Sequence, residues 1–272
     1  MRSRWIVFGL VSALLSLGAA RGRSPGHDRP ATEIPAGSAA MSFARIEYDS
    51  TGGMNEAYYY YEGRVWQRWE TDFPQADSNF LYRLEQLTTS QPHPKPITLR
   101  IEDEDLYDFP LLYMCDPGWM ELDEPEIERL RDYLLKGGFL WIDDFWGLAE
   151  WKNVERVFSA VLPGRTWQEI PRGHPIFSNV YELDGVPQVP ARDFAWLGHD
   201  PPEIHRYPVD SVTPAHMRGY FNDDGRLMVL ATHNTDIGDG WEREAYGEWY
   251  FEKYSTVAYA IGVNIVVYAL SH

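Results

Sequence analysis

The chain has 272 residues, with 24 Lys and Arg against 41 Asp and Glu, a net charge of −17, and one cysteine. That length fits one large α/β domain or two small ones, and a single cysteine excludes an internal disulfide framework and a Cys-rich zinc module. The acidic excess argues against nucleic acid and anionic lipid, which both need clustered Lys and Arg, while 11 Trp and 17 Tyr are too many for a disordered chain.

Met1-Arg2-Ser3-Arg4, the apolar run Trp5 to Leu17 and then Gly18-Ala19-Ala20 have the basic, hydrophobic and small-residue parts of a secretory signal peptide. The run is shorter than the roughly 20 apolar residues of a spanning helix. Residues 1–20 are therefore expected to export the chain and be cleaved near Ala20, with an uncleaved membrane anchor as the alternative; the expected location is the periplasm or cell envelope. Residues 21–40, rich in Gly, Pro, Ala and Ser, read as a flexible linker. With Arg2, Arg4, Arg21, Arg23, Arg29, Asp28 and Glu33 set aside, residues 41–272 keep 19 basic and 39 acidic residues, a charge of −20. The acidity belongs to the part expected to fold, a single domain over 41–272.

Within that domain, Phe43 to Tyr48 alternates apolar and polar residues, the pattern of a strand. A Gly- and Tyr-rich stretch follows, including four tyrosines at 58–61. Asp72-Phe73-Pro74 is expected to open a helix through Phe80, Leu81, Leu84 and Leu87, with Asp72 as its N-cap. Pro96 to Ile101 is a second short strand. Leu111 to Cys115, closed by Asp116-Pro117-Gly118, reads as a fully buried parallel strand.

Asp123-Glu124-Pro125-Glu126 has capping-box spacing. Its helix buries Ile127, Leu130 and Leu134 and stops at Gly137-Gly138. Phe139 to Ile142 is the next buried strand, ending in Asp143-Asp144. Val154 to Val161 suits a helix, Leu227 to Ala231 a last buried strand, and Tyr254 to Leu270 a C-terminal core helix. Alternating strands and helices at this spacing predict βαβ units and a parallel sheet.

Five segments then carry a resemblance: Phe43–Tyr48; Asp72-Phe73-Pro74 with Asn79 and Leu81; Leu130–Asp144; His174-Pro175-Ile176-Phe177; and His233-Asn234-Thr235-Asp236. In this order, and closing on Gly262-Val263-Asn264, they resemble a bacterial family, domain of unknown function 4159. That family in turn resembles the class I glutamine amidotransferase-like superfamily, which includes the trehalose-utilisation ThuA proteins. Leu134 to Leu140 is similar to that superfamily's helix, Gly-Gly turn and central strand. Gly173-His174-Pro175-Ile176 with Asp184-Gly185 is similar to a ThuA segment. The resemblance implies a flavodoxin-like three-layer α/β/α sandwich with a mostly parallel sheet. It also implies a nucleophilic Cys on a strand-to-helix elbow, and here the chain departs: the corresponding strand ends in Asp143-Asp144. Cys115 lies inside an apolar run, where a thiol behaves as a small hydrophobe.

Ligands of a doubly wound sheet sit outside the carboxyl ends of its strands. The residues expected there are Asp116, Asp143 and Asp144 with Trp146, and the stretch His233-Asn234-Thr235-Asp236-Ile237-Gly238-Asp239-Gly240-Trp241-Glu242. Since strand neighbours face opposite ways, one of Asp143 and Asp144 enters the crevice and the other caps the next helix. The 233–242 stretch reads either as a tight structural loop, whose Asn, Asp and Gly suit positive φ, or as a ligand or divalent-metal contact. His174 reads as a general acid or base or as a hydrogen-bonded loop residue.

Tyr58–Tyr61, Trp66, Trp69, Trp119, Trp146 and Trp151 suit a sugar ring, a protein partner or core packing. No G-x-S-x-G elbow, P-loop or G-x-G-x-x-G is present, so no cofactor is expected. The reading is an exported ligand-binding or protein-interaction module of the envelope, with a carbohydrate-like ligand or an envelope protein as partner. In it, Asp116, Asp143, Trp146, Asn234, Asp239 and Trp241 bind. The alternative is a hydrolase on a carbohydrate-like substrate, catalysed by Asp144, His174, His233 and Asp236 with or without a divalent cation.

Overall fold

A computed structural model describes residues 43–190, 195–196 and 214–272. The leader and linker expected over residues 1–40 lie outside the described residues. The strands are β1 (Phe43–Glu47), β2 (Asp49–Ser50), β3 (Tyr58–Tyr61), β4 (Arg64–Gln67), β5 (Thr98–Arg100), β6 (Leu111–Cys115), β7 (Met120–Glu121), β8 (Phe139–Phe145), β9 (Gln168–Glu169), β10 (His216–Phe221) and β11 (Leu227–His233). The helices are α1 (Gln75–Leu87), α2 (Glu124–Leu135), α3 (Gly147–Val161), α4 (Ile237–Glu242) and α5 (Glu248–Ser271), the last passing through a π-helical turn at Phe251–Ser255.

Seven strands form one sheet in the order β5-β1-β6-β8-β11-β10-β9. The first five are mutually parallel, and β10 and β9 add an antiparallel edge. Numbered along the chain, the parallel strands lie 2-1-3-4-5, the flavodoxin-type order, whose switch point falls between β1 and β6. This is the expected flavodoxin-like α/β domain; β9 and β10 are additions that periodicity did not reveal.

Period-2 alternation explains the apolar runs. Leu112, Met114, Leu140 and Ile142 pack on one face with Leu130, Val154 and Phe158 of α2 and α3. Leu111, Tyr113, Phe139 and Trp141 pack on the other with Phe80 of α1, Trp241 of α4 and Ile261 of α5. Both faces are covered, so both phases must be apolar. In β1 the polar phase is buried too: Arg45 is fully buried and bonds the Asp77 carboxylate in three contacts of 2.5–3.1 Å.

The capping box before α2 forms in both directions. Asp123 accepts from the Glu126 amide at 3.1 Å and Glu126 accepts from the Asp123 amide at 2.8 Å. Gly137, at φ +113°, ends that helix. Helix α1 starts at Gln75, and Asp72 is not its N-cap: it adopts φ +63° and sends its side chain elsewhere. Helix α3 begins at Gly147, seven residues before the expected Val154, because Glu150 turns back to accept from the Trp146 amide at 2.6 Å. Helix α5 is long and apolar enough to cross a membrane. Its Asn264 is buried and bonds Val180, Tyr181 and Asn179, which docks it as a core helix.

Candidate functional site

The carboxyl ends of β1, β6, β8 and β11 meet around a cavity of about 540 Å³, inside the usual range for small-molecule sites. Three aspartates reach it from left-handed backbone positions: Asp72 before α1, Asp116 after β6 (φ +54°) and Asp144 near the end of β8 (φ +58°). Asx residues tolerate that region better than others, and non-glycine residues held there cluster at functional sites.

One wall comes from the β3–β4 hairpin. Its Glu62-Gly63 turn has φ +49° and +83°, both positive as a tight two-residue hairpin requires. Alternation then puts Tyr59, Tyr61 and Trp66 on the cavity side, and Tyr58 and Tyr60 outward. The connection that follows is tied down by Arg45, which donates to the carbonyls of Trp69 (3.1 Å) and Thr71 (2.8 Å). Asp72 is the next residue, so the buried Arg45–Asp77 pair sets where its carboxylate sits. Arg68 donates to the carbonyls of Asn55 and Glu56 and pairs with Asp116 at 2.6 Å.

The opposite side is α4. Asp236 caps it, accepting from the Asp239 amide at 2.7 Å. Arg243 contacts Asp239 at 3.2 Å and Glu242 at 2.6 Å. Oxygens of Asp72, Asp239 and Glu242 lie within 4.8 Å of one another, and so do Asp72, Asp144 and the Cys115 sulfur. Asp72 belongs to both groups, so it is the residue through which a cation here would be held.

Crowded carboxylates resist ionisation. Burial, followed by the charges of Asp239 and Glu242, holds Asp72 well above the usual carboxylate range. Burial with the charges of Asp144 and Asp239 does the same to Asp236. Burial and Asp239 push Glu242 up to about 8. Cys115 is fully buried with its sulfur 3.9 Å from both Asp72 and Asp144, and burial pushes its thiol well up. It lies behind the carboxylates and is a poor nucleophile.

Of the residues expected at the strand ends, Asp116, Asp144, Trp146, Asp236, Asp239 and Glu242 line the cavity. The others do not. Asp143 faces the core, accepting from Tyr113 (3.1 Å), Thr232 (2.5 Å) and the Gly238 amide (3.1 Å). It thus supports the first turn of α4, whereas the helix after β8 starts without it. Asn234 accepts from the Gly147 amide at 2.9 Å and is structural. Trp241 is fully buried, its ring 4.2 Å from Phe80.

Neither histidine reaches the crevice. His233 is buried with Nε2 3.1 Å from the Gly147 carbonyl and its ring 4.8 Å from Phe145. Burial lowers its pKa to about 3, so it stays neutral. His174 accepts from the Ile176 amide at 3.3 Å and packs on Tyr268, 5.0 Å between rings. Sequence reasoning did not place Arg68, Asp72 or Arg243 in the site. Asp72 carried the local signature of a helix cap, and nothing local marks the two arginines.

A family profile described as a domain of unknown function (DUF4159) matches residues 42–270. A search of curated proteins finds no match.

Proposed function

The chain belongs to the DUF4159 family, and from that premise we propose that it is a ligand-binding module of the cell envelope that takes a small polar molecule into this crevice. The observation that carries the reading is the cavity of about 540 Å³ at the carboxyl ends of a 2-1-3-4-5 sheet, with aromatic rings on one wall and carboxylates on its floor. Sheets of this order bind their ligands at that place. Distant kinship with the amidotransferase-like superfamily is part of the proposal. It is supported by the strand order and by the Gly137-Gly138 turn into β8, whereas Asp144 stands where that superfamily has its cysteine. The histidines expected to act as acid and base are engaged elsewhere, which favours binding over His–Asp catalysis.

The test is thermal-shift and calorimetric screening of the full chain against sugars, polyols, amines, organic acids and divalent cations, with Asp72→Asn and Asp236→Asn as controls. Binding that both variants weaken supports the reading. Binding that neither variant alters removes the crevice from consideration.

One observation favours a second reading, hydrolysis of a glycoside-like substrate. Asp144 sits on a strained strand-to-helix elbow with an oxygen within 4.8 Å of an oxygen of Asp72. Closely set carboxyl pairs belong to retaining glycosidases, whereas inverting ones hold theirs roughly 6.5–9.5 Å apart. Asp144, which accepts from the Trp146 indole at 2.9 Å, would be the nucleophile, and Asp72, kept protonated, the acid. Asp144→Asn would then abolish turnover of activated aryl glycosides while leaving ligand affinity within about twofold; no turnover by the parent chain refutes it.

A further inference from the structure

We propose that the crevice ligand is a small organic cation, an amine, guanidine or quaternary ammonium on a compact body. The proposal rests on the reading that the crevice binds a small molecule, and it names the class. Eight carboxylates and two arginines line the cavity. Both arginines are already committed, Arg68 to Asp116 and Arg243 to Asp239 and Glu242. An anion would therefore enter a negative field with no cation left to receive it, and buried charges of one sign are costly unless compensated.

The carboxylates that lack a cation are the deep ones. Asp236 is 4% exposed, lines the cavity, and has no ion-pair partner among the described residues; the one hydrogen bond of its carboxylate among them is from the Asp239 amide that it caps. Asp72 likewise has no ion-pair partner among the described residues, and its oxygens face those of Asp239 and Glu242 within 4.8 Å. Such a carboxylate is satisfied either by holding a proton or by facing a positive group, and a cationic ligand supplies the second. A neutral sugar would leave the proton as the sole relief.

The wall narrows the class from any cation to an organic one. Three cavity rings already carry guanidinium groups over their faces: Arg68 over Tyr59 at 5.3 Å, Arg64 over Trp66 at 3.2 Å and Arg243 over Tyr246 at 5.1 Å. The aromatic surface here is thus one on which cations rest, through the negative face of the ring. Tyr61 extends it at the mouth, its side of the hairpin facing the cavity. A bare divalent ion takes six to eight oxygens in a tight shell. It would occupy a small part of a 540 Å³ space and leave the aromatic side of it unfilled.

The experiment uses isosteric pairs on the full chain by titration calorimetry: choline against 3,3-dimethyl-1-butanol, and 1,4-diaminobutane against 1,4-butanediol. Glucose, Mg²⁺ and Ca²⁺ are the remaining arms. The expected result is that at least one cation binds at least tenfold more tightly than its neutral isostere. Asp236→Asn, which keeps the capping oxygen, and Asp72→Asn should each weaken it at least tenfold, whereas Asp132→Asn on the exposed face of α2 leaves it unchanged. Equal affinity within a pair, or crevice-dependent binding of glucose, overturns the cation and leaves the crevice reading standing. Binding of Mg²⁺ or Ca²⁺ alone, lost in the same variants, overturns the organic class. Failure of every arm overturns the cation, while the crevice reading falls only if the wider screen fails as well.

Discussion

Replacing Glu242 by Gln should make the ligand-free protein more stable at neutral pH, and the gain should vanish in acid. Glu242 faces Asp239 and Arg243 on its own helix, Glu62 from the hairpin and Asp72 from the β1–α1 connection. Burial and Asp239 raise its folded pKa from 4.5 to about 8. A carboxyl with a raised folded pKa binds more protons in the native state than in the unfolded one, so stability falls as pH rises through the window from 4.5 to about 8. At pH 7 the unfolded carboxyl is about 2.5 pH units above its pKa and ionised, while the native one stays mostly protonated, a difference of roughly 3 kcal/mol at 1.36 kcal/mol per pH unit.

Glutamine removes that penalty and keeps an oxygen facing Arg243, whose attraction is already contained in the raised value. The gain is therefore about 3 kcal/mol, or about 6–12 °C in Tm for a domain of this size. The assay is calorimetric unfolding of both proteins at about pH 7.5 and pH 5, where the same arithmetic leaves less than about 1 kcal/mol. A variant less stable than the parent at pH 7.5, or one whose difference is equal at both pH values, would falsify the like-charge account. It would instead mean that Arg243 keeps Glu242 ionised.

Three further outcomes are expected. The Cys115 thiol, buried and raised by Asp72 and Asp144, should fail to react with a disulfide reagent at about pH 8 until the chain is unfolded; rapid native labelling would contradict its placement. The His233 ring, held neutral with a pKa lowered to about 3, should show no proton-NMR titration between about pH 5 and 8. Because its folded pKa is depressed, the stability it contributes is lost as pH falls from the ordinary 6.5 toward about 3, and His233→Gln should leave crevice affinity unaltered. Arg45→Met strands the buried Asp77 carboxylate and should cost about 3–5 kcal/mol in denaturant unfolding. Adding Asp77→Leu should recover most of that, and a double variant no better than the single one would count against the buried-charge explanation.

Features set by local chemistry were legible before folding was considered. The capping box at Asp123 and Glu126 and the glycine stop at 137 depend on residues three or four apart. Apolar runs at 111–115 and 139–142 marked strands covered on both faces. Asp116, Asp144 and Asp236 were legible as site residues because carboxyl ends of parallel strands gather at one edge whatever the loops do. His233 was misplaced because β11 runs two residues past Ala231. The histidine therefore stays in phase with Ala231 and enters the α3-side core beside Phe145. The Asp143–Asp144 pair was legible as a split, but the side each would take was not. Asp143 follows Trp141 toward α4, and the +58° φ of Asp144 turns it into the crevice.

By itself the sequence determined an acidic α/β chain with a strand that ends in two aspartates, since net charge, hydrophobic period and residue identity need no third dimension. Only the tertiary structure decided the site. Asp72 is a helix cap by local pattern and a cavity carboxylate in fact, because Arg45 reaches 32 residues to Asp77 and holds the Thr71 carbonyl beside it. Likewise, which of 39 acidic residues repel one another and which face solvent depends on distances between segments some 170 residues apart, as with Asp72 and Glu242. A charge count has no geometry; the packed sheet ends supply it.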